Sequence, residues 1–315
     1  MLFFGAQKDI DREANPNSMI PKEKALCFWR EYPMTPNLKI ITLAPQMMHI
    51  PISWAKAEGW NPGLEDALSF YAADNHGFSA GYVDDRPLAC ISLVNYSNLF
   101  AFLGFFIVDP EFRGMGYGRQ IWNYALDRLN GICLGLDGVV AQQDFYRRSG
   151  FVLAHRNIRY HGISKRHSWD TRDIISPRDL HYHRLCDFDA RHFGFHRSSF
   201  LQAWLLQKNA QARIILQDSR ILAFGVIRKC FEGYKIGPLF AEDYDHAERI
   251  FQALTSSIPV DQSFYLDIPE PNIDAQRLVK AYAMNPVFET ARMYKGSAPK
   301  LPLHRVFGIT SFELG

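Results

Sequence analysis

The sequence predicts an α/β fold, built twice in tandem. Two observations carry this. An apolar run at 99–108 leads through Phe112-Arg113-Gly114-Met115-Gly116-Tyr117-Gly118 into an amphipathic run at 120–129, which reads as strand, glycine-rich turn, helix. The element order read over 38–160 then recurs over 179–294. A spacing of roughly 140 residues is too long for a solenoid repeat and suggests two copies of one domain.

Taken in order, 38–43 reads as a first strand. Segments 46–58 and 63–73 read as helices, parted by the breaker loop Gly59-Trp60-Asn61-Pro62-Gly63. Three strands follow at 78–83, 87–94 and 99–108, because Asp84-Asp85-Arg86 and Asn95-Tyr96-Ser97-Asn98 supply turn chemistry between them. After the glycine turn and its helix come a strand at 132–140, a short helix at 142–149 stopped by Gly150, and a strand at 151–160. Residues 163–177 form a polar linker. The pattern restarts with a strand at 179–184, helices at 187–193 and 198–207, and strands at 213–217, 221–229 and 233–239. A helix at 244–256, a strand at 263–268, a helix at 273–283 and a strand at 287–294 complete it. Residues 1–36, with Asn15-Pro16-Asn17 and Pro33-Met34-Thr35-Pro36, read as an irregular extension holding a short helix at 22–29.

Bulk properties narrow the function. With 315 residues, 47% hydrophobic and 22% charged, the chain can bury two cores of ordinary size. A net charge of +2 gives no case for nucleic-acid or membrane binding. Five scattered cysteines suit a reducing compartment, and neither an apolar run of membrane length nor a secretory leader is seen, so the cytoplasm is expected.

Glycines let a backbone approach an anion and adopt positive φ, and the free N–H groups of a helix start then point at the charge. Arg113 adds a charge-assisted contact. The spacing is neither the dinucleotide fingerprint nor a Walker loop. One further cluster, His181, His183, Cys186, His192 and His196, would place two histidines on one strand face, but its spacing matches no closed zinc pattern, so no metal is assigned.

The element order with a glycine turn after the fourth strand resembles the GNAT superfamily of acetyl-coenzyme A-dependent N-acetyltransferases. Arg113, Gly116 and Gly118 match its pyrophosphate motif, and Tyr146 followed by Gly150-Phe151 matches its Tyr…Gly-Phe ending. The runs 58–63, 137–143 and 307–311 resemble a bacterial two-domain branch. The resemblance implies two tandem GNAT-like domains, each a mixed twisted sheet flanked by helices. The boundaries expected are an extension at 1–36, a catalytic domain at 37–162, a linker at 163–177 and a degenerate copy at 178–315. The second copy carries Glu242 and Asp243 where a phosphate would sit, so it is expected to leave coenzyme A to the first and to wall the substrate pocket.

The same resemblance implies acetyl transfer from acetyl-coenzyme A to a primary amine on a small molecule or peptide, by a monomer or weak homodimer. Cofactor contacts would come from Phe106, Ile107 and Val108, from Arg113, Gly114, Met115, Gly116, Tyr117 and Gly118, and from Tyr146. Tyr146 would be the general acid toward the leaving sulfur. For the base, the fourth strand offers no carboxylate, and Asp137 on the fifth reads either as a buried base or as a structural carboxylate; water-relayed proton removal is a third route. Trp60 and Asn61 read either as acceptor contacts or as a plug in the core. Val139, where many members carry Asn, leaves a non-catalytic acyl-coenzyme A sensor as the alternative.

Overall fold

The computed structural model describes residues 36–129, 131–166 and 170–315. The extension expected before residue 36, with its helix at 22–29, lies outside the described residues. Strand β1 (Lys39–Thr42) pairs antiparallel with β2 (Phe78–Val83), and β2 turns back as β3 (Arg86–Ser97). Asp84 and Asp85 make that turn at φ 46° and 63°, a two-residue geometry whose twist suits a hairpin. Helices α1 (His49–Ala57) and α2 (Asp66–Ala73) stand between β1 and β2. Strand β4 (Phe100–Val108) pairs with β3, and α3 (Tyr117–Asp127) carries the chain to β5 (Cys133–Val139), which runs parallel to β4. Helix α4 (Gln143–Arg148) and strand β6 (Val152–Ile163) end the first half.

The second half repeats the order. Strand β7 (Ile174–Ile175) lies inside the expected linker. Helices α5 (Tyr182–Phe193) and α6 (Ser198–Leu205) follow, then β8 (Ala210–Gln217), β9 (Arg220–Lys229) and β10 (Tyr234–Ala241). Next come α7 (Tyr244–Thr255), β11 (Ser263–Pro269), α8 (Ile273–Ala281), β12 (Asn285–Lys295) and β13 (Val306–Gly308). The strand expected at 179–184 is instead the end of a 3-10 turn (Pro177–Asp179) leading into α5. Leu185, Phe188, Asp189 and His192 are its buried face, a helical spacing that overrides the local His-x-His alternation. His181 is therefore the residue capping α5 and His183 lies within it, so the shared strand face does not exist. Among the described residues no three His, Cys, Asp or Glu side chains gather as a metal-holding group.

One sheet of 13 strands runs through the described residues in the order β1-β2-β3-β4-β5-β12-β6-β11-β10-β9-β8-β7, with β13 beside β10. The two halves have exchanged strands. Strand β12 of the second half lies between β5 and β6 of the first, and β6 lies between β12 and β11 of the second. Register then makes two matching ion pairs across this joint. Asp137 on β5 stands opposite Arg292 on β12, bonded through both oxygens at 2.7 Å. Asp267 on β11 stands opposite Arg159 on β6, bonded likewise at 2.7 and 2.8 Å. Each pair links the fifth strand of one half to the sixth of the other. Three larger hydrophobic clusters fill the space between sheet and helices. One spans both halves through Phe70, Phe105, Phe188, Phe200 and Trp204.

Candidate active site

Strands β4 and β5 pair only from Phe100–Cys133 to Leu103–Leu136, then part at Gly104. The parting has a local cause. Two residues, Phe105 and Phe106, face one on β3, and Phe105 adopts φ 46°. Gly104 is needed because a Cβ there would stand 2.1 Å from the Glu313 carbonyl oxygen and 2.9 Å from Ser92 Oγ. The wedge so opened is a cleft of about 690 Å³.

At its mouth the glycine turn follows β4. Gly114 and Gly116 have φ 80° and 89°, and open space lies where a Cβ would point at either. Gly116 is the residue before α3 and offers no side-chain cap; no acid occupies the first turn. The first N–H groups of the helix thus lack intrahelical partners and favour an anion. Arg113, Gly114, Gly116 and Gly118 border the cleft, as does Arg119, which the sequence reading passed over although its place one residue beyond the motif was visible. The Met115 side chain is exposed and the Tyr117 ring is buried against Phe112; neither borders the cleft. Arg113 donates from Nε to the Val108 carbonyl at 3.0 Å and forms an ion pair with Glu58 at the end of α1. A phosphate entering here must compete with Glu58 for that guanidinium.

Along the cleft floor Phe106, Ile107 and Val108 border the space, and Phe106 stacks on Phe145. Tyr146 reaches it from α4. Its ring lies on Gly138, where a Cβ would come within 2.3 Å of the ring. Burial pushes the Tyr146 hydroxyl well above its ordinary range, so it stays protonated at neutral pH and has a proton to donate.

Two expected site residues are already engaged in hydrogen bonds of their own. Burial pushes the Asp137 carboxyl up against the pull of Arg292, but both oxygens already accept from that guanidinium, and Asn157 Nδ2 adds a third bond at 2.8 Å. Asp137 borders the cleft, and its counterpart Asp267 is likewise bonded through both oxygens to Arg159 in the other half, a parallel that favours the structural reading of Asp137. Asn61 grips the Glu232 backbone with both ends of its amide, at 2.8 and 2.9 Å, and is absent from the cleft wall. The Asn61 amide serves the fold. Trp60 does border the cleft, while its carbonyl accepts from Arg159 Nη1 at 2.8 Å.

The opposite wall comes from the second half: Phe288 and Thr290 of β12, and Phe312 and Glu313 after β13. None was singled out in the sequence, since only tertiary contact brings 288–313 to residue 104. Glu313 is 2% exposed, and its Oε1 is buried without a hydrogen-bond partner among the described residues.

The matching wedge of the second half is closed. Strands β10 and β11 pair over Tyr234–Ile236 and part, as β4 and β5 do, but β13 fills the gap, pairing with Leu239 and Phe240. Ile309 N then donates to the Asp267 carbonyl at 2.9 Å. The start of α7 is also taken: the Asp243 carboxylate accepts from His246 N at 3.0 Å, and Glu242 pairs with Arg305. A self-capped helix start has no vacancy for an anion.

Two family models match the chain. One, described as the acetyltransferase (GNAT) family, covers residues 45–151, and the other, an acetyltransferase (GNAT) domain, covers 185–308. Holothin acyltransferase of Pseudoalteromonas sp. is 30% identical over 262 residues, spanning 83% of this chain and 89% of that protein. Among solved structures, a candidate acetyltransferase of Pyrococcus horikoshii superposes with TM-score 0.74 at 21% identity, covering 89% of this chain and 96% of that one. A tandem GNAT protein from the clavulanic acid biosynthesis pathway superposes at 0.60 with 12% identity, over 83% of this chain and all of that one (100%). These two likenesses concern the fold alone.

Proposed function

Since this chain belongs to the GNAT acyltransferase family, we propose that its first half transfers an acetyl group from acetyl-coenzyme A directly to a primary amine. One observation carries the reading: the β4–β5 wedge is open and leads to an uncapped helix start, while the equivalent wedge of the second half is filled by its own strand. The catalytic half is 37–162, joined through 163–177 to a second half, 178–315, that binds no coenzyme A and supplies a wall.

In this reading the N–H groups of 114–118 and the start of α3 hold the pyrophosphate, with Arg113 and Arg119 beside it. Backbone N–H groups of the Phe106–Val108 stretch that turn away from β3 polarise the thioester carbonyl, while Ile107 pairs with Cys90 on β3. Tyr146, protonated at neutral pH and bordering the cleft, gives a proton to the leaving sulfur. Trp60, Phe288 and Phe312 give the acceptor side an aromatic lining, which favours an amine on a flat or apolar body. The relative named for acylating holothin supports an acceptor other than water.

The test has two parts. Arg113→Glu or Gly116→Asp should abolish acetyl-coenzyme A binding in calorimetry; unchanged affinity refutes the site. An amine library assayed for thiol release identifies the acceptor, and wild-type protein releasing no thiol with any amine refutes the activity.

A further inference from the structure

We propose that Glu313, contributed to the first half's cleft by the segment that follows β13, is the general base that takes the proton from the acceptor amine. The inference rests on the acyltransferase reading above and assigns it a residue from the other half of the chain.

Geometry comes first. The segment after β13 passes the two glycines at which the halves open their wedges. The Thr310 carbonyl oxygen fits against Gly237, where a Cβ would stand 2.4 Å away, and the Glu313 carbonyl fits against Gly104 at 2.1 Å. Neither glycine can carry a side chain while the segment lies there. Tyr96 donates its hydroxyl to the Leu314 carbonyl at 2.8 Å, which holds the segment down on the far side. Glu313 is thereby fixed at the point where β4 leaves β5, beside the backbone donors assigned to the thioester carbonyl, and it borders the cleft.

Electrostatics come second. A buried carboxylate oxygen without a donor is costly, so folds rarely keep one. The other buried carboxylates of this region are all satisfied: Asp66 by Arg228, Asp267 by Arg159, Asp137 by Arg292. Glu313 Oε1 alone among these acids has no partner among the described residues. An ammonium arriving in the cleft is the missing donor. Burial raises the Glu313 carboxyl; Lys235 on β10 and Arg159 on β6 lower it, Asp66 on α2 raises it and Arg228 on β9 lowers it. The cleft it borders is also lined by Tyr146, Asp137, Arg119 and the Glu58–Arg113 pair.

The step balances. Glu313 accepts one proton from the acceptor ammonium. The freed nitrogen lone pair forms the C–N bond at the thioester carbonyl carbon as the C–S bond breaks, its electron pair leaving on sulfur. Tyr146 protonates that sulfur and is reprotonated by the second proton shed from nitrogen. Glu313 returns its proton to water. An ammonium and a thioester thus give an amide, a thiol and one proton.

The experiment compares Glu313→Gln with wild type, using acetyl-coenzyme A and the acceptor found in the amine screen. Calorimetry should show acetyl-coenzyme A affinity within about twofold, because Glu313 lies away from the phosphate turn. Turnover at neutral pH should fall by about 10²–10⁴-fold, and the acidic limb of the kcat/KM profile should move up toward the ionisation of the acceptor amine itself. An arylamine analogue of the acceptor, which arrives already neutral, should lose far less. Glu313→Asp should regain part of the loss with its acidic limb shifted. Turnover of Glu313→Gln within threefold of wild type overturns the proposal while leaving the acyltransferase reading intact. So does an equal loss across all amines with the acidic limb retained. Should Glu313→Gln not fold, an unshifted acidic limb in Glu313→Asp overturns it.

Discussion

Replacing Asp137 by Asn and, separately, Asp267 by Asn tests whether the joint between the halves is built symmetrically. The two carboxylates stand at matching places, and each is bonded through both oxygens to an arginine across the exchanged strands. Side-chain exposure is 0% and 6% for Asp137 and Arg292, and 1% and 4% for Asp267 and Arg159. Asn keeps the shape but leaves a buried guanidinium without a counter-charge. Breaking a buried pair by removing one partner costs about 3–5 kcal/mol. At roughly 2–4 °C per kcal/mol for large domains, each variant should melt about 6–20 °C below wild type. Differential scanning calorimetry measures this, with turnover read at a temperature where both variants stay folded. Both should keep turnover within a few-fold. An Asp137→Asn protein that melts with wild type yet loses turnover by 10²-fold or more would refute the symmetric-joint argument and restore Asp137 as a base.

Three further outcomes follow from the geometry. Gly138→Ala places a Cβ 2.3 Å from the Tyr146 ring, so it should displace the ring and lower turnover at least tenfold while acetyl-coenzyme A affinity, by calorimetry, stays near wild type. Glu58→Gln removes the competitor for Arg113; since that pair is half exposed and worth up to about 1 kcal/mol, acetyl-coenzyme A should bind a few-fold tighter. For pH, burial pushes the Asp66 and Asp267 carboxyls up, but Arg228 and Arg159 more than reverse it and hold both below the ordinary range. Their contribution is complete above the unfolded carboxylate pKa of about 3.9 and is lost as pH falls through the folded values below it. Denaturant melts should therefore show a steep loss of stability below that pH, shallower in Asp267→Asn.

Much of the fold was legible because strand and helix periodicity are local. The glycine turn, the Asp84-Asp85 hairpin and the stop at Gly150 each follow from backbone preferences that neighbours do not override. The α5 error shows the limit. Residues 179–184 read as a strand over six residues, while Tyr182–Phe193 is helical over twelve, once its buried face has a sheet to meet. Of the cleft lining, the residues on contiguous segments were legible: Arg113, three of the glycines and Tyr146.

What sequence alone determined, then, is the pair of repeated halves and the glycine turn in the first, since both depend on short-range spacing. Only tertiary structure decided the rest. Strand exchange turned Asp137 into half of an ion pair with a residue 155 positions away. The fold of the second half set one strand to plug its own wedge and carried Glu313 to Gly104. Contacts of that sequence separation leave no periodic trace, because they are selected by packing between surfaces that exist only after both halves have formed.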